Sequence, residues 1–118
     1  MEIGTIKAVH ILAHEKKYVT AELELNVKGV NYSFGGGDIF LTGDQGGRFD
    51  DPPFLGRFIF RCLQICKADS WDLLKSCKVL VQVIDKKVVA IGNVTGDQWF
   101  NPVSEFDHML RQKERENA

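Results

Sequence analysis

The sequence predicts an α+β fold in which antiparallel strands are grouped apart from the helices. Residues 18–27 alternate between apolar and polar side chains, which is typical of a strand with one buried face. Residues 54–66 instead carry apolar side chains at helical spacing. The predicted order is three strands, two helices, two strands and a final helix. This order lacks the alternation of strand and helix that would indicate a parallel sheet.

A three-stranded antiparallel meander is predicted at the N-terminus, over residues 5–13, 18–27 and 30–34. Lys28-Gly29 provides a tight turn between the second and third strands. The meander then runs directly into three consecutive glycines, Gly35 to Gly37.

Six glycines lie between residues 35 and 50, where no regular periodicity is present. Glycine inside a strand costs chain entropy and packing, so a run of three indicates a bend, a bulge or a close approach to the main chain. For the glycines alone, a bend at the end of the meander is the favoured interpretation. A functional loop or flap over residues 35–50 is the alternative.

Two central helices are predicted after the glycine-rich segment. Asp51 is placed to cap the first helix, with Pro52 in the first turn, where its missing N–H costs nothing. The second is a short helix capped by Asp69 or Ser70, with Trp71 turned inward.

The C-terminal part is predicted to contain a hairpin and a helix. The strands cover residues 78–84 and 88–94, joined by a tight turn at residues 85–87. "TGDQWFNP" ends the second strand, and Ser104 begins the last helix. With no linker or internal repeat visible, residues 1–118 are expected to form a single domain.

Composition and charge exclude several classes of protein. The 118 residues carry a formal charge of −1 and have a pI near 6.3, which argues against a protein that coats duplex DNA. The sequence has no apolar run long enough to span a membrane and no signal-peptide pattern. A cytoplasmic protein is therefore expected. The three cysteines, Cys62, Cys66 and Cys77, form no CxxC pair and are expected to be reduced.

No residue pattern indicates a metal site or a catalytic nucleophile. His10 and His14 are four residues apart on or beside a strand, a separation of about 13 Å, so they do not share an ion unless the turn folds them together. No GxSxG motif is present, and cysteines at apolar helix positions disfavour the thiolate. The chain is therefore predicted not to be an enzyme, and neither a cofactor nor a metal is expected.

Three features together favour a nucleotide ligand. Arg57 and Arg61 lie one helical turn apart and can grip a phosphate between two guanidinium groups. Taken alone, these arginines have a solvated helix face as their alternative interpretation. The glycine-rich segment offers backbone N–H groups, and Trp99-Phe100 offers stacking surface. A Walker-type phosphate loop is excluded because no GK[ST] follows the glycines.

The order of several short motifs resembles a family encoded by phages and prophages, the first type of Thoeris anti-defence protein. The likeness extends from about Ile3 to Phe106, and the "AIGN" and "DQWFNP" blocks are its most distinctive part. The sequence departs from the family pattern at Gly37, where many relatives carry an aromatic residue. The motifs are "SFGG" (33–36), "LGRFIFRCLQIC" (55–66), "SWDLL" (70–74), "VLVQV" (79–83), "AIGN" (90–93) and "DQWFNP" (97–102).

The resemblance implies a sponge that binds cyclic ADP-ribose isomers made by bacterial TIR-domain enzymes and does not cleave them. Some relatives also bind cyclic di- or trinucleotides, at separate sites in a hexamer built as a trimer of dimers. The resemblance therefore implies that this chain forms a homo-oligomer and can bind such ligands as well. The family pattern carries over Asn93 as a ligand contact, and Arg111 is proposed for a second site. The full set of predicted ligand-binding residues is Asn93, Arg57, Arg61, Trp99, Phe34, Gly35, Gly36 and Arg111.

Two other functions remain open on the residues alone. The first is a phage inhibitor that blocks a host defence protein by direct contact through Trp99, Phe100 and the glycine-rich segment. The second is single-stranded nucleic-acid binding, for which the aromatic residues are present but the positive charge is not.

Overall fold

Six antiparallel strands form one continuous sheet in the computed structural model, which describes residues 2–14, 18–40 and 52–116. The spatial order of the strands is β3-β2-β1-β4-β5-β6, and it confirms the predicted α+β class. The strands are β1 (Glu2–His14), β2 (Tyr18–Val27), β3 (Val30–Gly35), β4 (Lys78–Ile84), β5 (Lys87–Gly92) and β6 (Trp99–Phe100). The helices are α1 (Gly37–Phe40), α2 (Pro52–Cys66), a 3-10 helix (Trp71–Leu74) and α3 (Pro102–Glu116).

The pairing of β1 with β4 makes one sheet out of the predicted meander and hairpin. Residues 2–5 of β1 pair with residues 78–81 of β4, while the rest of β1 pairs with β2. The sheet curls strongly, so that β3 approaches β5 although three strands separate them in the sheet order. The curl leaves a concave face that the helices cover.

The predicted turn at Lys28-Gly29 is confirmed, and the predicted turn at residues 85–87 is one residue shorter, because Lys87 already pairs with Ile84 as the first residue of β5. Lys28 and Gly29 have φ of 51° and 84°, and Asp85 and Lys86 have φ of 51° and 65°. Two successive left-handed residues are typical of the type I′ turn, whose twist matches the twist of the flanking strands.

Phenylalanine side chains build the core between the concave sheet and the helices. Phe58 of α2 lies with its ring centroid 5.5 Å from Phe34, 5.6 Å from Phe40 and 5.6 Å from Phe100. Phe106 of α3 closes the cluster, 6.2 Å from Phe100. All five rings are essentially inaccessible to solvent. Aromatic rings at such tilted and edge-on angles stabilise one another beyond the burial of apolar area.

Three predicted elements need correction. The second central helix is a single 3-10 turn, which begins after Ser70. Residues 99–100 return to the sheet as β6 and do not simply end the hairpin. The last helix begins at Pro102, because Asn101 caps it: its Oδ1 accepts a hydrogen bond from the Ser104 N–H at 3.1 Å. The predicted Asp51 cap lies outside the described residues.

No helix within the described ranges has the length and apolar character needed to cross a membrane.

Candidate functional site

A cavity of about 650 Å³ opens to solvent among the strands of the curled sheet. Its lining brings together residues from four strands: Glu2, Tyr32, Val81, Gln82, Val83 and Trp99. Of the eight predicted ligand residues, Trp99 is the one that lines this cavity. Two aromatic rings and a carboxamide therefore border a space within the usual 300–1,000 Å³ range of small-molecule sites.

Trp99 is held in place by its packing against Gly92 of β5. A Cβ at Gly92 would lie 2.8 to 3.0 Å from three atoms of the indole, Cδ2, Cε2 and Cε3, so the ring lies across the bare backbone. The two residues are direct partners in the β5–β6 ladder. The backbone carbonyl of Trp99 also accepts a hydrogen bond from Arg61 Nη2 at 2.7 Å. The indole is thus fixed on one face and is partly exposed.

Asn93 is buried, and its side chain organises the turn between β5 and β6. Its Nδ2 donates to the carboxylate of Asp97, and its Oδ1 accepts from the Gln98 N–H at 3.3 Å. Hydrogen bonds from Thr95 and then from Asn93 lower the pKa of the Asp97 carboxyl, which is exposed. The side chain of Asn93 is therefore committed to the turn that presents Trp99, and it does not line the large cavity.

Arg57 and Arg61 lie together on α2 as predicted, but the anion between them is Glu105 of α3. Arg57 Nε lies 2.8 Å from Glu105 Oε2, and Arg61 Nε lies 3.1 Å from Glu105 Oε1. Arg61 also contacts Gln64 and stacks over Phe100, with 5.3 Å between its Cζ and the ring centroid. The carboxylate thus takes the position that a phosphate was predicted to occupy, and it ties α2 to α3.

The "SFGG" residues have structural roles. Phe34 is 1% exposed in the aromatic core, so its side chain is not available to stack on a ligand. Gly35 and Gly36 have φ of 90° and 64° and end β3, in agreement with the favoured interpretation of a bend. A Cβ at Gly35 would collide with the Phe58 ring and the Ala21 carbonyl oxygen. Most of the proposed flap, residues 41–50, lies outside the described residues.

Gly35 and Arg111 belong to two further depressions. Gly35 borders a groove of about 360 Å³ that runs between β3, β5 and the start of α3. Arg111 lies on the exposed side of α3, in a shallow depression with Ser104, Asp107 and His108. The predicted ligand residues therefore do not converge on one site: they are divided among a cavity, a turn, an ion-pair cluster, the core and the α3 surface.

The cysteines lie in apolar surroundings. Burial raises the pKa of the Cys62 thiol, and the neighbouring Cys66 raises it further. Burial also raises the pKa of Cys66, as does its hydrogen bond with Cys77. Raised pKa values disfavour the thiolates that act as nucleophiles.

One group of side chains with metal-ligand chemistry was not predicted from the sequence. His10 of β1 lies beside Glu22 and Glu24 of β2, with one ligand atom from each within 4.8 Å of the others. Spacing along one strand separates His10 from His14, but it does not show which residues lie opposite His10 on the next strand. Alternating glutamates in β2, set against a histidine in β1, were the signal that was available.

Comparison with protein-family models gives no match, and neither curated protein sequences nor solved structures give a significant match.

Proposed function

We propose that this chain is a phage anti-defence protein that sequesters a cyclic nucleotide signal of the cyclic ADP-ribose class, without cleaving it, in the host cytoplasm. The observation that supports this proposal best is Trp99, an indole fixed against Gly92 at the wall of the 650 Å³ cavity. An aromatic face that is already immobilised binds a nucleobase at little cost in side-chain entropy. The motif order that resembles the Thoeris anti-defence family gives independent support.

The other residues of the cavity suit the remaining parts of such a ligand. Tyr32 offers a second ring, and the Gln82 carboxamide offers a donor and an acceptor for the edge of a base. Glu2 can accept hydrogen bonds from ribose hydroxyls, and its carboxylate is 3.2 Å from Lys28 Nζ, which brings a cation near the cavity. Arg57 and Arg61 remain predicted phosphate contacts, and a phosphate has to compete with Glu105 for them.

The alternative is direct inhibition of a host protein through an interface that contains Trp99 and Phe100. Only one of these two aromatic side chains is accessible to a partner. Phe100 is fully buried in the core, so it cannot enter a protein–protein interface without unfolding β6. Trp99 alone remains as a partly exposed aromatic anchor from that pair.

Titration of the purified protein with cyclic ADP-ribose isomers tests the proposal by calorimetry. We expect a nanomolar Kd, about −12 kcal/mol, because a sponge depends on slow release of its ligand. Trp99→Ala should weaken binding by about 1 to 3 kcal/mol through lost stacking, whereas Trp99→Phe should retain most of the affinity. Ligand recovered after heat denaturation should be chemically intact.

Leu73→Ala is the control for loss of an exposed, large apolar side chain. Leu73 is 61% exposed on the 3-10 helix and does not line the cavity, so this variant should bind like the parent. Product that accumulates with time would restore the enzyme hypothesis. Unchanged binding by a folded Trp99→Ala variant would remove the cavity as the site.

A further inference from the structure

Three side chains of the types that ligate metals meet on the outer face of the sheet, opposite the phenylalanine core. His10 of β1 is the ladder partner of Glu22 in β2, and Glu24 follows two residues later on the same face. The three ligand atoms lie within 4.8 Å of one another, and His10 Nε2 is 3.3 Å from Glu24 Oε1. Paired antiparallel strands hold these side chains in a fixed order.

The spacing suits a small divalent ion. Ligands that sit about 2.0–2.2 Å from a zinc ion lie roughly 3.0–3.5 Å from one another. The His10–Glu24 separation already has this value, and small side-chain rotations bring the third ligand within range. Imidazole together with carboxylate oxygen suits first-row transition metals, whereas Mg²⁺ and Ca²⁺ prefer oxygen ligands only.

The carboxylate of Glu22 lacks a cation among the described residues. It is half-buried, and within residues 2–14, 18–40 and 52–116 no lysine, arginine or histidine lies in ion-pair distance of it. The main chain at Gly36 packs directly against it, and a Cβ at that position would collide with Glu22 Oε2. The bend at the glycines therefore packs against one side of the Glu22 carboxylate. A cation bound to this carboxylate would neutralise its charge.

We propose that His10, Glu22 and Glu24 bind a divalent transition-metal ion, with the remaining coordination positions open to water. Lys7 and Glu24 border the same groove, so the positive charge of Lys7 repels a metal cation. The affinity for the ion is therefore expected to be micromolar, weaker than that of a closed structural zinc site. The site does not depend on the proposed nucleotide-binding function, because neither His10 nor the two glutamates line the large cavity.

Calorimetry of the full chain without an affinity tag tests the site, with Zn²⁺ as the titrant and Co²⁺ as the spectroscopic probe. We expect one ion per chain, weaker binding at lower pH because protons compete for the imidazole, and no competition by excess Mg²⁺. His10→Ala and Glu22→Gln should each weaken binding at least tenfold. His108→Ala removes an exposed histidine on α3 and should leave the affinity unchanged.

Glu22→Gln keeps the shape of the side chain, and circular dichroism of each variant separates loss of a ligand from unfolding. Equal affinity of the parent and a folded His10→Ala variant would overturn the proposal. An absorption band from sulfur-to-cobalt charge transfer would do the same, because it would place the ion on the cysteines. Absence of saturable binding at millimolar Zn²⁺ would also overturn it.

Discussion

At the scale of single residues, Asn93 is the side chain on which the turn between β5 and β6 depends. It is 7% exposed, and both of its polar atoms are hydrogen-bonded within the turn. A buried carboxamide with its partners in place contributes more to stability than an exposed one. The family resemblance assigned Asn93 to the ligand, whereas its observed contacts connect it to the presentation of Trp99.

Replacement of Asn93 by alanine should therefore destabilise the fold. We expect a loss of about 1 to 3 kcal/mol in the free energy of unfolding, because the Gln98 N–H and the Asp97 carboxylate lose their partner. Thr95→Ala is the control: it removes an exposed hydroxyl that also donates to Asp97, at 2.6 Å, and should cost less. Urea denaturation beside ligand titration measures both effects. Normal stability with abolished binding would instead identify Asn93 as a direct ligand contact.

At the scale of elements, local patterns account for most of the sheet and for α2. The alternation over residues 18–27 predicts β2 with its observed bounds, and Pro52 correctly marks the start of α2. β6 has only two residues, too few for any periodicity, and it exists because it pairs with Ile91 and Gly92. Short elements of this kind depend on tertiary contacts that a local pattern does not contain.

The candidate site was less predictable than the fold, for the same physical reason. The spacing of Arg57 and Arg61 correctly placed them together, but their shared partner, Glu105, is 44 to 48 residues away in the sequence. Likewise, Gly92 matters for the site because the Trp99 indole of β6 packs across its backbone, a contact that the local sequence does not show. Helical spacing identifies neighbours on one element, while the partner from another element decides what those neighbours bind.

The glycines that end β3 provide a direct test at the same scale. Gly35→Ala should cost about 1 to 3 kcal/mol from the left-handed backbone alone, and the collision with Phe58 should add to that cost. Gly37→Ala is the matched control, because nothing lies within 4 Å of its Cβ position and its φ is not positive. It lies at the start of α1 and should be neutral or slightly stabilising. Equal melting temperatures for the two variants would contradict the structural role of Gly35.

At the scale of the whole molecule, the open cavity predicts that a second chain takes part in binding. Sites for small molecules bury most of the ligand's surface, whereas this cavity of about 650 Å³ is open to solvent within one chain. A second subunit would supply the missing wall, in agreement with the homo-oligomer that the family resemblance implies.

Native mass spectrometry at micromolar protein, with and without a cyclic ADP-ribose isomer, tests this prediction. We expect a dimer or a larger assembly that persists when the ligand is added, and a ligand affinity that falls as the protein is diluted below its dissociation range. Trp99→Ala should weaken ligand binding while leaving the mass of the apo assembly unchanged, since the indole packs within its own chain against Gly92. A monomer that binds the ligand with nanomolar affinity would show that one chain encloses the ligand alone, and the requirement for a second subunit would be wrong.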